Sequence, residues 1–313
     1  MSARPETRNP KPPVVSVITP TYNRAAYIGD AIESVLAQTY QDWELIIVND
    51  GGTDETEAVI KPYRVGDPRI RYITQTNTGV SGARNRALRE ARGRYAAFLD
   101  DDDRWLPEKL ARQVAYLEQH PEIGMCYARA TPGFSPTSFP GLLRPFQSIL
   151  PSTVVARREA LVAIGGFNET PKIQEDYDCW LRLAQYWPLG HLNQQLSHSI
   201  KGRRRCLSGD TRQNHRVGIR VLEQLVLTHE HRDYHRMRIA YIGYLHYLLA
   251  REHYAVGAYG NAAKHFSRAL WHDPLVGLRF GQPGERGWLL SRLAKSYAAV
   301  PISLVRRLLY VAR

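Results

Sequence analysis

A chain of 313 residues with 43% hydrophobic and 23% charged residues has the composition of a folded globular protein, which excludes a disordered, collagen-like or low-complexity one. The formal net charge of +12 is uneven: residues 1–200 hold 22 Lys+Arg and 23 Asp+Glu, whereas residues 201–313 hold 20 and 7. No apolar run reaches the roughly 18 residues of a membrane span, and the early run 14–18, with Ser16 inside it, is too short for a signal-peptide core, so a cytoplasmic protein is expected. Cys126, Cys179 and Cys206 are odd in number and lack metal-ligand spacing, so they read as reduced packing residues.

Residues 1–13 are polar and end in Lys11-Pro12-Pro13, an extended lead-in. Residues 14–19 read as a buried strand, β-branched and almost wholly apolar, ending at Pro20. Ile28, Ala31, Ile32, Val35 and Leu36 recur at helical spacing within 25–39. A second buried strand over 43–48 stops at the turn cluster Asn49-Asp50-Gly51-Gly52; Thr53, Thr56 and Glu57 open another helix, and 70–73 is a third strand. This βαβαβ order predicts a mainly parallel sheet, whose ligand sites lie at the carboxyl ends of its strands.

A helix over 80–91 leads to a strand over 94–99 that runs straight into Asp100-Asp101-Asp102-Asp103. Four consecutive carboxylates repel one another unless a cation sits among them, and their hard oxygens suit Mg2+ or Mn2+. A helix over 107–119 and a short strand over 124–127 follow. Residues 130–150, with four prolines and Phe134, Phe139 and Phe146, read as a loop covering a site. Val154 and Val155 resume a strand, 158–163 is helical, Gly165-Gly166 breaks it, and Glu175-Asp176 opens a helix through 184. Beyond about residue 210 only helices are predicted, over 217–227, 237–250, 261–270 and 288–299. The basic surface there attracts phosphate-rich partners, whether nucleic acid, anionic lipid or a pyrophosphate-linked lipid, and does not choose among them.

Five blocks in order, VVSVITPTYN (14–23), WELIIVNDGG (43–52), NTGVSGARN (77–85), FLDDDD (98–103) and EDYDCWLRL (175–183), resemble the family-two inverting nucleotide-sugar glycosyltransferases. The resemblance implies a GT-A (Rossmann-like) fold, a mainly parallel mixed α/β sheet flanked by helices, over 14–210. A basic helical region follows over 211–313, with one tetratricopeptide-like helical pair at 254–274. It implies that Asp50 meets the uracil or equivalent base edge, that Pro20 and Tyr22 line the nucleotide, and that Arg84 clamps it from the Gly82-Ala83-Arg84-Asn85 block. Asp100 and Asp102 match the Asp-x-Asp motif: Asp102 is the expected ligand of Mn2+ or Mg2+, Asp100 a second candidate, Asp101 faces the ribose and Asp103 caps the next turn. Asp176 is the expected general base.

Plainer roles stand beside these: a turn residue for Asp50, packing for Tyr22, a surface helix position for Arg84, helix capping for Asp176. The sequence departs from the family at Ala87, where many relatives carry glycine, and at Cys206 in the 201–208 block, where they carry glutamine. No Gln-x-x-Arg-Trp block or membrane span accompanies the motifs, which favours single addition over processive synthesis. The expected partners are a nucleoside diphosphate sugar, UDP-linked in the first instance, and an acceptor hydroxyl in cell-surface polysaccharide or glycolipid synthesis. A lipid-linked acceptor would fit a peripheral membrane contact through the apolar face of Ile302, Val305, Leu308 and Leu309, and nucleic acid is not expected. The rival is a noncatalytic nucleotide- or partner-binding protein with a lapsed transferase domain; intact Asp50, Asp102 and Asp176 argue against it. His231 and His235 have metal-ligand spacing on a helix, but Arg232 and Arg236 are interleaved and no acid joins them.

Overall fold

The computed structural model describes residues 12–128, 136–143, 149–170, 173–199 and 210–273. In chain order their elements are β1 (Val15–Thr21), α1 (Ile28–Leu36), β2 (Trp43–Asn49), α2 (Thr56–Gly66), β3 (Ile70–Thr74), α3 (Val80–Glu90), β4 (Tyr95–Phe98), β5 (Asp103–Trp105), α4 (Lys109–Gln119) and β6 (Met125–Ala128). There follow α5 (Phe139–Leu142), β7 (Val154–Arg157), α6 (Arg158–Ala163), α7 (Glu175–Ala184), β8 (Leu189–Leu192), β9 (Ser197–Ser199), α8 (Thr211–Gln224), α9 (His235–Ala255) and α10 (Tyr259–His272). They fall into two compact units, one drawn from 1–137, 148–172 and 186–203, the other from 138–147, 173–185 and 204–313.

In the first unit seven strands form a sheet in the order β3-β2-β1-β4-β7-β6-β8. Strands β3, β2, β1 and β4 are parallel, β7 runs antiparallel to both its neighbours, and β6 and β8 are parallel to each other. Every residue of β1 and β2 is buried, as expected of strands covered on both faces. Ile28, Ala31, Ile32 and Val35 of α1, and Leu110, Val114 and Leu117 of α4, bring their apolar stripes into the same core as Val15, Val17, Leu45 and Ile47. One carboxylate lies inside the sheet: Glu44 accepts from the Ser16 hydroxyl at 2.8 Å and pairs with Arg71 at 3.0 Å and Arg92 at 3.2 Å, so its charge is fully partnered.

Two expectations change. Asp103, expected beside a turn, opens the short strand β5, which pairs antiparallel with β9, Asp103 lying opposite Ser199. The loop expected over 130–150 contains α5, with Phe139 buried. Strands β5, β8 and β9, of three or four residues each, are too short to register as period-two patterns and form because partner strands are already in place.

The second unit contains α5, α7, α8, α9 and α10. Helix α9 is buried around most of its girth from Tyr241 to Ala250, and α10 lays Ala262, Phe266, Ala269 and Leu270 inward. Four imidazoles line this pair: His246 meets His265 with Nδ1 atoms 3.0 Å apart, the His246 ring stacks on His272, and the His253 ring stacks on His265. The predicted helix over 288–299, the 201–208 block and the apolar face at 302–309 lie outside the described residues.

Candidate active site

Parallel pairing sets Thr21 opposite Asn49 and Ile18 opposite Phe98, so the segments after β1, β2 and β4 leave the sheet at one edge. Asp50, the first residue past β2, is 4% exposed. Its Oδ1 accepts from Thr78 N at 2.9 Å, Gln75 Nε2 at 2.8 Å and the Thr78 hydroxyl at 3.3 Å, and its Oδ2 from Gly79 N at 2.7 Å. Asp50 therefore orders the loop that opens α3, where Gly79 adopts φ +91°, a conformation suited to glycine. Pro20 is buried within β1, and Tyr22 just beyond it is half exposed.

The acidic run is neutralised from two sides. Arg84, buried on α3, places NH2 2.8 Å from Asp100 Oδ1, with its guanidinium 5.3 Å from the Phe167 ring centroid. Arg24 sets Nε 3.8 Å from Asp101 Oδ1 and NH2 3.8 Å from Asp102 Oδ2. Burial raises Asp101 to about 7, Arg24 pulling it down and Asp102 and Asp100 pushing it up. Asp102, more open, is also raised, first by burial and then by Asp100, against the pull of Arg24.

Ser152 holds the start of the run and the tryptophan two residues past its end. Its hydroxyl accepts from Asp100 N at 3.0 Å, and its carbonyl accepts from Trp105 Nε1 at 2.8 Å. Asp100 and Asp102 supply hard oxygens, which fit Mg2+ or Mn2+ once phosphate oxygens complete the shell. Among the described residues no group of three or more His, Cys, Asp or Glu is arranged to hold an ion without such help.

In the second unit Asp176 occupies the first turn of α7 with Glu175 and Asp178, where carboxylates complement the positive helix end. Its Oδ1 accepts from Tyr177 N at 2.7 Å. Asp178 is tied to Arg182 at 2.7 Å. The preceding Gln174 has φ +60°, and its Nε2 donates to Asn214 O at 2.8 Å. His231 bonds the Thr228 hydroxyl at 2.8 Å, while His235 lies 2.9 Å from Arg238. Cys126 and Cys179 are buried free thiols; Cys206 lies outside the described residues.

The structure thus gathers Pro20, Tyr22, Asp50, Arg84 and Asp100–Asp102 at one edge of one unit and sets Asp176 on a helix of the other. Sequence reasoning missed Arg24 and Ser152. Arg24 had a signal, a lone cation two residues past Tyr22 in the loop after β1; Ser152 had none, since its role rests on contacts 47 to 52 residues distant in sequence.

Residues 16–165 match the model of glycosyl transferase family 2. TuaG of Bacillus subtilis, a candidate glycosyltransferase of teichuronic acid biosynthesis, is 47% identical over 106 residues, 34% of this chain and 42% of that protein. EpsE of the same organism, a candidate glycosyltransferase, is 31% identical over 206 residues, 60% of this chain and 73% of that protein. The chain spans 28% to 42% of the length of TuaG and of two uncharacterized Rickettsia glycosyltransferases that it also matches. A mannosyltransferase from Pyrobaculum calidifontis, solved with GDP-Man and Mn2+, superposes with TM-score 0.62 at 19% identity, covering 92% of this chain and 81% of that one. S. aureus TarS 1-349, solved with UDP-GlcNAc, gives 0.60 at 20% identity, covering 93% and 82%. At such identities the likeness is one of fold, and the fold is GT-A.

Proposed function

The chain belongs to glycosyl transferase family 2, and on that premise we propose that it moves a sugar, with inversion, from a nucleoside diphosphate sugar to an acceptor hydroxyl. The transferase domain is assigned to residues 14–210 and the basic helical region to 211–313. One observation carries the reading. Asp50, Arg84 and the Asp100–Asp102 run, separated by up to 52 residues in the chain, meet at the carboxyl edge of β1, β2 and β4, where ligands of parallel sheets bind.

A donor of this class brings a base, a ribose, a diphosphate and an anomeric carbon. Pro20, Tyr22, Asp50 and Arg84 are assigned to the nucleotide, with Asp50, at the base edge, also ordering the loop beside it. Asp101 is assigned to the ribose side, and Asp102, with Asp100 as second ligand, to a divalent cation. That cation, when bound, supplies Lewis-acid stabilisation to the departing diphosphate. Asp176 is the general base: it takes the proton from the acceptor hydroxyl as that oxygen bonds to the anomeric carbon. The bond from that carbon to the diphosphate oxygen breaks, and the electron pair leaves with the diphosphate. A carboxylate in this role contributes about 100- to 10,000-fold.

UDP is proposed as the carrier, and a polysaccharide or glycolipid of the cell surface as the acceptor. The candidate role of TuaG in teichuronic acid biosynthesis and the UDP-GlcNAc bound by TarS support that choice. A membrane-surface location is proposed from the basic composition of 201–313; no described helix is long and apolar enough to cross a membrane. A panel of UDP-, GDP- and dTDP-sugars assayed with Mn2+ for released nucleoside diphosphate tests the proposal. Release from one carrier class is expected; release from none, with or without acceptor extracts, would contradict it.

A further inference from the structure

The loop after β1 is built around one unusual residue. Asn23 adopts φ +54°, one of two positive φ values at non-glycine positions among the described residues. Its Oδ1 accepts from Thr53 N at 2.7 Å and Asp54 N at 3.3 Å, so the turn after β2 holds it in that conformation. The next two residues are fastened to the same turn, Arg24 N donating to Thr56 Oγ1 at 3.2 Å and Ala25 N to Asp54 Oδ2 at 2.9 Å. Gly52 permits the approach, because a Cβ there would lie 2.7 Å from Asn49 Oδ1 and 3.0 Å from Asn23 N. The backbone of Arg24 is thus fixed on both sides and its side chain is the adjustable part.

That side chain ends between two carboxylates. Its nitrogens lie 3.8 Å from Asp101 Oδ1 and 3.8 Å from Asp102 Oδ2, with the Arg24 side chain 27% exposed and the Asp102 side chain 35% exposed. The contacts to Asp101 and Asp102 are looser than the 2.8 Å pair of Arg84 with Asp100. They are spaced for a guanidinium that can leave, at a site solvent can reach.

We propose that Arg24 is a resident counter-cation of the metal locus, a positioning residue that makes metal capture depend on the donor. This rests on the assignment of Asp102 as metal ligand. Before donor arrives, the guanidinium shields Asp102 and raises the cost of placing a second cation beside it. When the donor diphosphate enters, its negative charges draw Arg24 off the carboxylates, which frees Asp102 and adds a phosphate partner for Arg24. A guanidinium suits both states, because its planar fork bonds carboxylate and phosphate alike. Arg84, buried and tightly bonded to Asp100, stays in place throughout.

The test is Mn2+ titration of nucleotide-free wild type, Arg24→Gln and Arg24→Lys, read by calorimetry and by the EPR signal of free Mn2+, followed by UDP titration in the presence of Mn2+. Circular dichroism melts check that each variant is folded. Removing a positive charge about 4 Å from the carboxylate is expected to tighten Mn2+ binding to the nucleotide-free Arg24→Gln protein about tenfold. The same variant is expected to bind UDP with Mn2+ more weakly than wild type, while Arg24→Lys keeps the weak metal binding of the free protein. Equal Mn2+ affinity in wild type and Arg24→Gln, both folded and both binding UDP with Mn2+, would overturn the inference and leave the proposed function standing. Wild type that binds no nucleoside diphosphate under any metal condition would overturn both.

Discussion

Arg84 and Asp100 form a 2.8 Å ion pair in which the arginine is buried on α3 and the aspartate begins the acidic run after β4. The pair joins the helix opened by the Asp50-ordered loop to the proposed metal-binding segment, so it carries structure as well as charge. Removing the arginine takes the 2.8 Å cation from Asp100 and leaves Arg24 beside Asp101 and Asp102. Arg84→Ala is expected to cost about 1.5–3 kcal/mol of stability, the range for a charged hydrogen bond. The double variant Arg84→Ala/Asp100→Asn should recover part of that loss, a coupling readable from denaturant midpoints. Strict additivity of the two single changes would show that the pair does not act as a unit.

Ser152 also holds this segment, through Asp100 N and Trp105 Nε1. Only the first contact uses the side chain. Ser152→Ala should therefore leave the Trp105 contact intact, lower the melting temperature slightly and weaken Mn2+-supported UDP binding by several-fold, because about 1 kcal/mol of hydrogen bonding that orders the run is lost. Calorimetric titration against wild type checks this; unchanged affinity would remove Ser152 from the positioning of the acidic run.

The buried lysine of α4 makes a prediction about pH. Lys109 is fully buried, its Nζ has no hydrogen-bond partner among the described residues, and it lies 4.1 Å from the centroid of the Trp105 ring. Burial lowers its pKa from 10.5 to about 7. Between those values the unfolded chain holds a proton that the folded chain has released, so stability gained from this site rises with pH across that window and the penalty is greatest below pH 7. Lys109→Met should stabilise the protein by about 1–4 kcal/mol at pH 6, in line with hydrophobic replacement of buried charge. The gain should shrink toward pH 10. Urea melts at pH 6, 8 and 10 measure it, and a gain independent of pH would show that Lys109 holds its proton as firmly in the folded chain as in the unfolded one.

Much of this site was legible in the sequence because its determinants are local. Strands β1 and β2 are unbroken apolar runs, the turn after β2 is spelled by Asn-Asp-Gly-Gly, and four consecutive aspartates have no ordinary structural use. The parts that escaped are set by contacts between distant segments. That Asp103 opens a strand shows only once β9, about 95 residues later, pairs with it. Arg84 reads as a nucleotide clamp, and its pairing with Asp100, 16 residues away, has no signal in the sequence. Of the two positive-φ non-glycine residues among the described ones, Asn23 is of a type that favours the left-handed region and Gln174 carries no such signal; each precedes a segment of proposed chemistry, Arg24 in one case and Glu175-Asp176 in the other.

The assignment of Asp176 as general base is the claim on which the proposed reaction turns. Asp176→Asn keeps the size of the side chain and its place in the first turn of α7 while removing the basic oxygen, so donor binding and transfer are separated by one substitution. The deciding measurement is the rate of diphosphate release from the preferred donor by wild type and Asp176→Asn, alongside donor affinity by calorimetry. The account predicts a fall of about 100- to 10,000-fold in rate with donor affinity nearly unchanged. Near-normal turnover by Asp176→Asn would contradict it.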